Sequence, residues 1–199
     1  MWFSKNPDKQ WLYILFFILF LLLIVYSYKY VSGLNKKEGF HQDSPFILKQ
    51  NQAIYDDFYA KYYDELYACA ELSDFIVAQV IDMTLPSKEY SVFLDVGSGT
   101  GALIDALQQS GYTVYGIDKS QAMIDYSESI RPDIQVKCGD FVDPLAFEQN
   151  TFSHVLCVGR TLYEIDDKYD FFRNCYYWLK SGGYLIVNLV DPEEYDTVL

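Results

Sequence analysis

The chain has 199 residues, a net charge of −13, four cysteines and an apolar content of 51%, enough for one cored domain plus an appendage. The charge divides unevenly. Residues 1–37 carry +4, so the remainder carries −17, a surface that repels phosphate backbones and excludes nucleic acid as a partner. Cys69, Cys138, Cys157 and Cys175 show no C-x-x-C spacing, so neither a disulfide framework nor a zinc site is expected, and they read as small buried hydrophobes. His41 and His154 have no ligand-type neighbours in sequence, so no metal is expected either.

In chain order, the first element is an uncharged stretch from Gln10 to Tyr28. As a helix it is long enough to cross a bilayer core of roughly 30 Å. Trp11 and Tyr13 stand at one end and Tyr26, Tyr28 and Tyr30 at the other, as interfacial aromatics do, with lysines beyond both. Val31-Ser32-Gly33 makes a poor cleavage site, so the stretch reads as an uncleaved anchor (residues 1–33, spanning about 10–30) rather than a signal peptide. Lys29, Lys36 and Lys37 outnumber Lys5 and Lys9, which places the following domain on the cytosolic side. Residues 34–50 read as a polar linker, and residues 51–199 as the globular domain.

The spacing of Ile54, Phe58, Leu66, Phe75, Ala78 and Ile81 predicts helix from Gln52 to Met83, stopped by Pro86. Val92–Val96 reads as a strand buried on both faces. A glycine loop follows, Gly97-Ser98-Gly99-Thr100-Gly101, and then a helix from Ala102 to Gln109. Further strands are expected at 112–117, 134–138, 152–158 and 184–190, with helices at 121–129, capped by Ser120, and at 167–179. Strands alternating with helices imply a mostly parallel, doubly wound α/β sheet.

The glycine loop is where a ligand is expected, because missing side chains let it approach the backbone and the following helix offers free N–H groups. The loop also fits the dinucleotide pattern G-x-G-x-x-G/A. Asp95, just before it, favours another ligand. A carboxylate repels a pyrophosphate but suits S-adenosylmethionine, which carries a sulfonium and an ammonium and no phosphate.

With these residues placed, the stretch from Tyr55 to Val190 resembles the class I S-adenosylmethionine-dependent methyltransferases, which have a Rossmann-like sheet. The resemblance implies that Asp95, Gly97, Ser98, Gly99 and Gly101 bind the methionine part of the cofactor. It implies that Asp118, ending strand two beside Lys119, holds both ribose hydroxyls, and that Met123 covers the adenine. Asp140, followed by Phe141, would receive the adenine amino group. Tyr55–Asp64, with Tyr63, resembles the N-terminal segment that covers the cofactor in many small-molecule methyltransferases, and Leu179–Gly183 resembles the family's turn before strand five.

Two differences stand out. Strand four begins Phe152-Ser153-His154 where the family usually has Phe-Asp, which would remove an acidic group near the substrate side. The sheet also ends after strand five, where the family usually adds a hairpin, so either the sequence is a fragment of a longer one, or the edge is open, or another chain covers it. Arg160, Tyr163 and Glu164 follow strand four and are the candidates for substrate contact; no catalytic residue is obligatory.

Three functions fit. The first is a membrane-anchored methyltransferase acting on a small apolar, lipid-like or quinone-like acceptor, or on a neighbouring membrane protein. The second is a non-catalytic membrane-bound module that keeps the fold. The third, an NAD-dependent oxidoreductase, finds no support in the later motifs.

Overall fold

The computed structural model describes residues 7–34 and 47–189. Most of the expected linker, residues 35–46, and the last ten residues lie outside the described ones, as does His41. The chain divides into two units, Met1–Leu48 and Lys49–Leu199.

In the first unit, helix α1 covers Pro7–Leu34. Within it, Trp11–Tyr30 form a 20-residue apolar run with no side chain buried. At 1.5 Å rise per residue this run is about 30 Å long. Length and composition suit a membrane span, and a signal sequence meets the same criterion.

The second unit is built on a five-stranded sheet with β1 at Val92–Val96, β2 at Thr113–Asp118, β3 at Gln135–Cys138, β4 at Phe152–Cys157 and β5 at Leu179–Val187. The order is β3-β2-β1-β4-β5 and every pairing is parallel. The chain winds outward from β1 to β3, then returns to lay β4 on the other side of β1, so the direction of winding reverses between β1 and β4. Open α/β sheets place their ligand crevice at that reversal, outside the carboxyl ends of the strands.

The pleat sends alternate side chains to opposite faces and so to two cores. Leu94, Val96, Val155 and Cys157 pack with Phe171, Cys175 and Trp178 of helix α7 (Lys168–Trp178). Phe93, Val114 and Leu156 pack with Val77 and Val80 of helix α3 (Cys69–Thr84) and Leu103, Ile104 and Leu107 of helix α4 (Ala102–Gln109). Helix α5 (Gln121–Ile130) packs on β2 and β3, its start capped by Ser120, whose Oγ accepts from Met123 N at 3.2 Å. A short helix α6 (Thr161–Glu164), with no strong sequence signal, follows β4.

Three sequence expectations are corrected. The helix from Gln52 to Met83 is broken. After a 3-10 turn at Asn51–Ile54, helix α2 (Asp57–Tyr67) ends at Ala68, which is left-handed at φ 47° and ψ 48°, and α3 begins afresh. The break lets α3 pack on α4 while α2 turns to α5. Hydrophobic spacing continues through it, which is why the sequence reads as one helix.

The expected turn Lys180–Gly183 lies inside β5 instead. Phe152 pairs with Leu179 and His154 with Tyr184, so four residues bulge opposite Ser153. At Gly183 a Cβ would stand 2.8 Å from Ser153 O, so only glycine fits there.

Ser153 and His154 lie at the start of β4, the opposite edge from the carboxyl ends, so their difference from Phe-Asp does not touch a substrate side. Ser153 Oγ accepts from Val92 N at 2.8 Å, tying β4 to β1. His154 is stacked between Phe93 and Tyr184, and burial pushes its pKa down to about 4. The neutral ring is hydrogen-bonded on both sides, Nδ1 with Ser153 Oγ at 2.7 Å and Nε2 with Thr84 Oγ1 at 3.1 Å.

The break at Ala68 has a test of opposite signs. A non-glycine residue in the left-handed region costs about 1–2 kcal/mol, so Ala68→Gly should raise stability in urea unfolding. In a continuous helix the same change would lower it by about 1 kcal/mol. A lower unfolding midpoint for the glycine variant would refute the break.

Candidate active site

The carboxyl ends of the strands frame a cleft of about 580 Å³, open to solvent. Gly97 and Gly99 enter it after β1, Asp118 and Lys119 at the end of β2, Phe141 after β3, and Val158, Arg160, Thr161 and Glu164 after β4. Gln52, Tyr55, Tyr63 and Met123 complete the wall. Of the residues expected to hold a cofactor, Tyr63, Gly97, Gly99, Asp118, Lys119, Met123 and Phe141 line the cleft together. Asp95, Ser98, Gly101 and Asp140 do not. Of the substrate candidates, Arg160 and Glu164 line it, whereas Tyr163 lies outside.

The glycine loop uses most of its freedom on the protein itself. A Cβ at Gly97 would stand 2.2 Å from the Thr161 hydroxyl, and one at Gly101 would meet Ile134 at 2.6 Å. Only at Gly99 is there space, the nearest atom being Tyr63 Cε1 at 3.8 Å. The loop amides are also committed. Gly97 and Ser98 donate to Ile117 O, Gly99 to Asp118 Oδ2 and Gly101 to Ser98 O. These four N–H groups face the protein, so a pyrophosphate would find no donor among them; the groups that the sequence assigned to a ligand are those at the start of α4.

Asp118 accepts from Gly99 N through Oδ2 and from Ser120 N through Oδ1, both at 2.8 Å. A carboxylate has about four lone-pair sites, so two remain. Burial raises its pKa, and the two backbone bonds oppose that rise. Asp95 is buried under the loop, 3% exposed. Desolvation, and then the charge of Asp118, raise its pKa to about 7. Ser98 is also buried, with an unpartnered Oγ. Asp140 is exposed and paired at 3.0 Å with Lys119, whose ammonium sits 4.5 Å from the centroid of the Phe141 ring.

Helix α2 roofs the site with a tyrosine at every fourth position. The rings of Tyr55, Tyr59, Tyr63 and Tyr67 follow one another at centroid distances of 5.6, 5.6 and 4.8 Å. The Tyr55 hydroxyl donates to Glu164 Oε1, and burial followed by this carboxylate pushes its pKa well up. Arg160 lies over the Tyr67 ring and donates to its hydroxyl at 3.1 Å. The roof is fastened by Asp64, which accepts from Arg131 Nη2 at 2.9 Å and from the Thr100 hydroxyl, while Arg131 Nη1 donates to Thr100 O at 2.9 Å. No sequence signal points to Arg131, Gln52, Val158 or Thr161 as site residues. No group of three potential metal ligands occurs among the described residues.

Comparison with known proteins gives the geometry a family. Residues 94–187 match the family model described as a methyltransferase domain. The ubiquinone biosynthesis O-methyltransferase of Coxiella burnetii is 30% identical over 102 residues, 49% of this chain and 43% of that protein. The cypemycin N-terminal methyltransferase of a Streptomyces species is 35% identical over 107 residues, 51% of this chain and 43% of that protein. The chain thus spans less than half the length of these curated relatives.

Among solved structures, a Methanococcus maripaludis protein assigned as an S-adenosylmethionine-dependent methyltransferase superposes with a TM-score of 0.61 at 24% identity, over 72% of this chain and 67% of that one. An S-adenosylmethionine-dependent methyltransferase of Archaeoglobus fulgidus gives 0.54 at 17% identity, over 65% and 57%. At these identities the likeness is one of fold. From β1 through β5 the chain thus matches the methyltransferase-domain family model, and it has the fold of S-adenosylmethionine-dependent methyltransferases.

Proposed function

We propose that the chain is a membrane-anchored methyltransferase that uses S-adenosylmethionine to methylate a small apolar or lipid-like acceptor. The carrying observation is the cleft's chemistry. Four of the five glycine-loop amides are spent on the protein, which leaves little for a diphosphate. Lys119 and Arg160 balance Asp118 and Glu164 along the wall, but the acids Asp95 and Asp118 cluster at the loop itself, where a cationic methionine part would lie. The unburied apolar run Trp11–Tyr30 supports the anchor. The aromatic roof, and the Coxiella relative whose name places it in ubiquinone biosynthesis, support an apolar acceptor.

When bound, S-adenosylmethionine supplies a methyl group on a sulfonium, and in-line displacement releases a neutral thioether. The chain's part is to bind, orient and exclude water. The two free lone-pair sites of Asp118 suit the adjacent ribose hydroxyls, Met123 and Phe141 offer apolar walls to the adenine, and the tyrosines of α2 close the site from above. Glu164, held by Tyr55, is the group placed to take the proton of a hydroxyl acceptor as its oxygen is methylated. Arg160 lies beside it to orient the acceptor.

The first test is calorimetry of the full chain in detergent with S-adenosylmethionine and with NAD. Tighter binding of NAD would overturn the cofactor assignment. Asp118→Asn, which keeps one accepting oxygen, should weaken cofactor binding about tenfold, and Asp118→Ala about a hundredfold, since each hydrogen bond to a charged acceptor is worth about 1.5–3 kcal/mol and 1.4 kcal/mol is a factor of ten. Cofactor binding without methyl transfer to any quinol-like, phenolic or amine acceptor would favour the non-catalytic module.

The second test is the pH dependence of affinity. With a pKa of about 7, Asp95 gains its charge as pH rises from 6 to 8, so binding of the cationic cofactor should strengthen across that window. Asp95→Asn should flatten the profile. For stability the sign reverses: because the folded pKa lies above the unfolded value of 3.8, the native state loses stability as pH rises from about 4 to 7. An unchanged affinity profile in the asparagine variant would remove Asp95 from the site.

The third test is extraction. Carbonate or high salt should leave the full chain in the membrane fraction, and removal of residues 1–33 should release it. Release of the intact chain by carbonate alone would end the anchor reading.

A further inference from the structure

Helix α2 has a second aromatic stripe that the cleft does not use. Tyr63 on this helix and Tyr55 just before it line the cleft, but Phe58, Tyr62 and Leu66, four residues apart along it, turn outward and are 73%, 39% and 62% exposed. The Phe58 and Tyr62 rings lie against each other, with centroids 5.0 Å apart. In water this is a costly face. On a helix lying in a membrane interface it is the buried one. We propose that this outer face of α2 rests in the interface of the bilayer that α1 enters, which sets the cleft mouth at headgroup level; the inference rests on the anchoring reading above.

The chain supplies the argument for a lipid surface over other occupants. Helix α1 ends at Leu34 and the globular unit begins at Lys49, so fourteen residues join them. Fully extended, such a tether spans at most about 50 Å, and a domain of this size has a radius of gyration of about 15 Å. The domain therefore never leaves the bilayer's neighbourhood. A short tether presents its cargo at an effective concentration on the order of millimolar, so a face too weak to bind lipid from solution suffices.

The charge of −17 on residues 38–199 selects among surfaces. It repels an anionic membrane and a second copy of the same domain alike, which leaves zwitterionic headgroups as the surface that α2 meets. The geometry then has a consequence for the substrate. One helix carries both the membrane-facing stripe and the cleft-lining Tyr63, so an acceptor dissolved in the bilayer reaches the cleft by lateral diffusion along α2.

The test uses the full chain in phosphatidylcholine vesicles whose acyl chains carry bromine, a short-range quencher of tryptophan. The unmodified chain reports the anchor through Trp11 in α1 and through Trp2 in the same N-terminal segment, because Trp178 is buried in the domain core. Phe58→Trp adds a tryptophan on the outer face of α2, and Tyr176→Trp adds one at a position on α7 that is 84% exposed. The expected result is that the emission added by Phe58→Trp is blue-shifted and largely lost to brominated lipid, whereas that added by Tyr176→Trp is retained.

Parent emission that brominated lipid leaves untouched would overturn the anchor itself. Quenched parent emission with an unquenched, acrylamide-accessible tryptophan at 58 would overturn only the docking of α2. Protection of that tryptophan from acrylamide without quenching by lipid, lost on dilution of the protein in the bilayer, would assign the face to a second copy and equally overturn the proposal.

Discussion

The carboxylate of Asp118 holds the site together. It ends β2, yet its two oxygens reach the amide of Gly99 in the loop after β1 and the amide of Ser120 at the start of α5. Two crossovers are thereby fixed to each other at the carboxyl edge of the sheet, where the winding reverses and the cleft opens. A neutral side chain would accept more weakly, and a longer one would overshoot the turn. The same group keeps two lone-pair sites for a ligand, so the residue that shapes the cleft is also the one best placed to read what enters it.

Around this tie the site divides its labour by element. Strand ends supply the floor and walls, and α2 supplies the roof. The roof is not part of the sheet's own hydrogen bonding, so it needs separate fastening. Asp64 provides this by binding both Arg131 at the end of α5 and the Thr100 hydroxyl in the glycine loop. Ser120 adds a further tie, its Oγ donating to Tyr55 O at 2.7 Å. The Thr100 and Ser120 ties return to the glycine loop and to the start of α5, the two segments that Asp118 already joins, while Tyr55 and Tyr67 bind Glu164 and Arg160 after β4. Movement of the roof is thus coupled to the loop that the ligand would touch.

Much of this was legible from residues close in sequence. The run from Val92 to Gln109 reads as strand, loop and helix because each signal is local: a buried apolar run, alternating glycines, an amphipathic start. Asp118 and Met123 were legible for the same reason, standing at a strand end and in a capped helix. What stayed hidden depends on distance. The Asp64–Arg131 pair is 67 residues apart, and nothing in either neighbourhood marks it. The break at Ala68 was hidden because apolar spacing continues across a single left-handed residue. The place of Ser153 and His154 was misjudged although strand direction decides it, since the first residues of a parallel strand stand at the edge opposite the crevice. Asp95 was rightly singled out as acidic before the loop, but its burial beneath the loop instead of in the cleft wall follows from the pleat, which puts it on the same face as Phe93 and α4.

That burial carries a cost with a purpose. Asp95 and Asp118 both have raised pKa values, and desolvation is the largest cause for each. The domain therefore holds two acids where ionisation is disfavoured, one of them helped by backbone donors and the other by none that the structure records. A neutral ligand would leave that cost in place, and an anion would increase it. A cation relieves it, because an opposite charge nearby favours the ionised form of both groups. By linkage, whatever binds the native state alone also stabilises it. The cleft wall carries Lys119 and Arg160 as well as Asp118 and Glu164, so it is beside Asp95 and Asp118, and not along the whole wall, that a cation meets complementary charge.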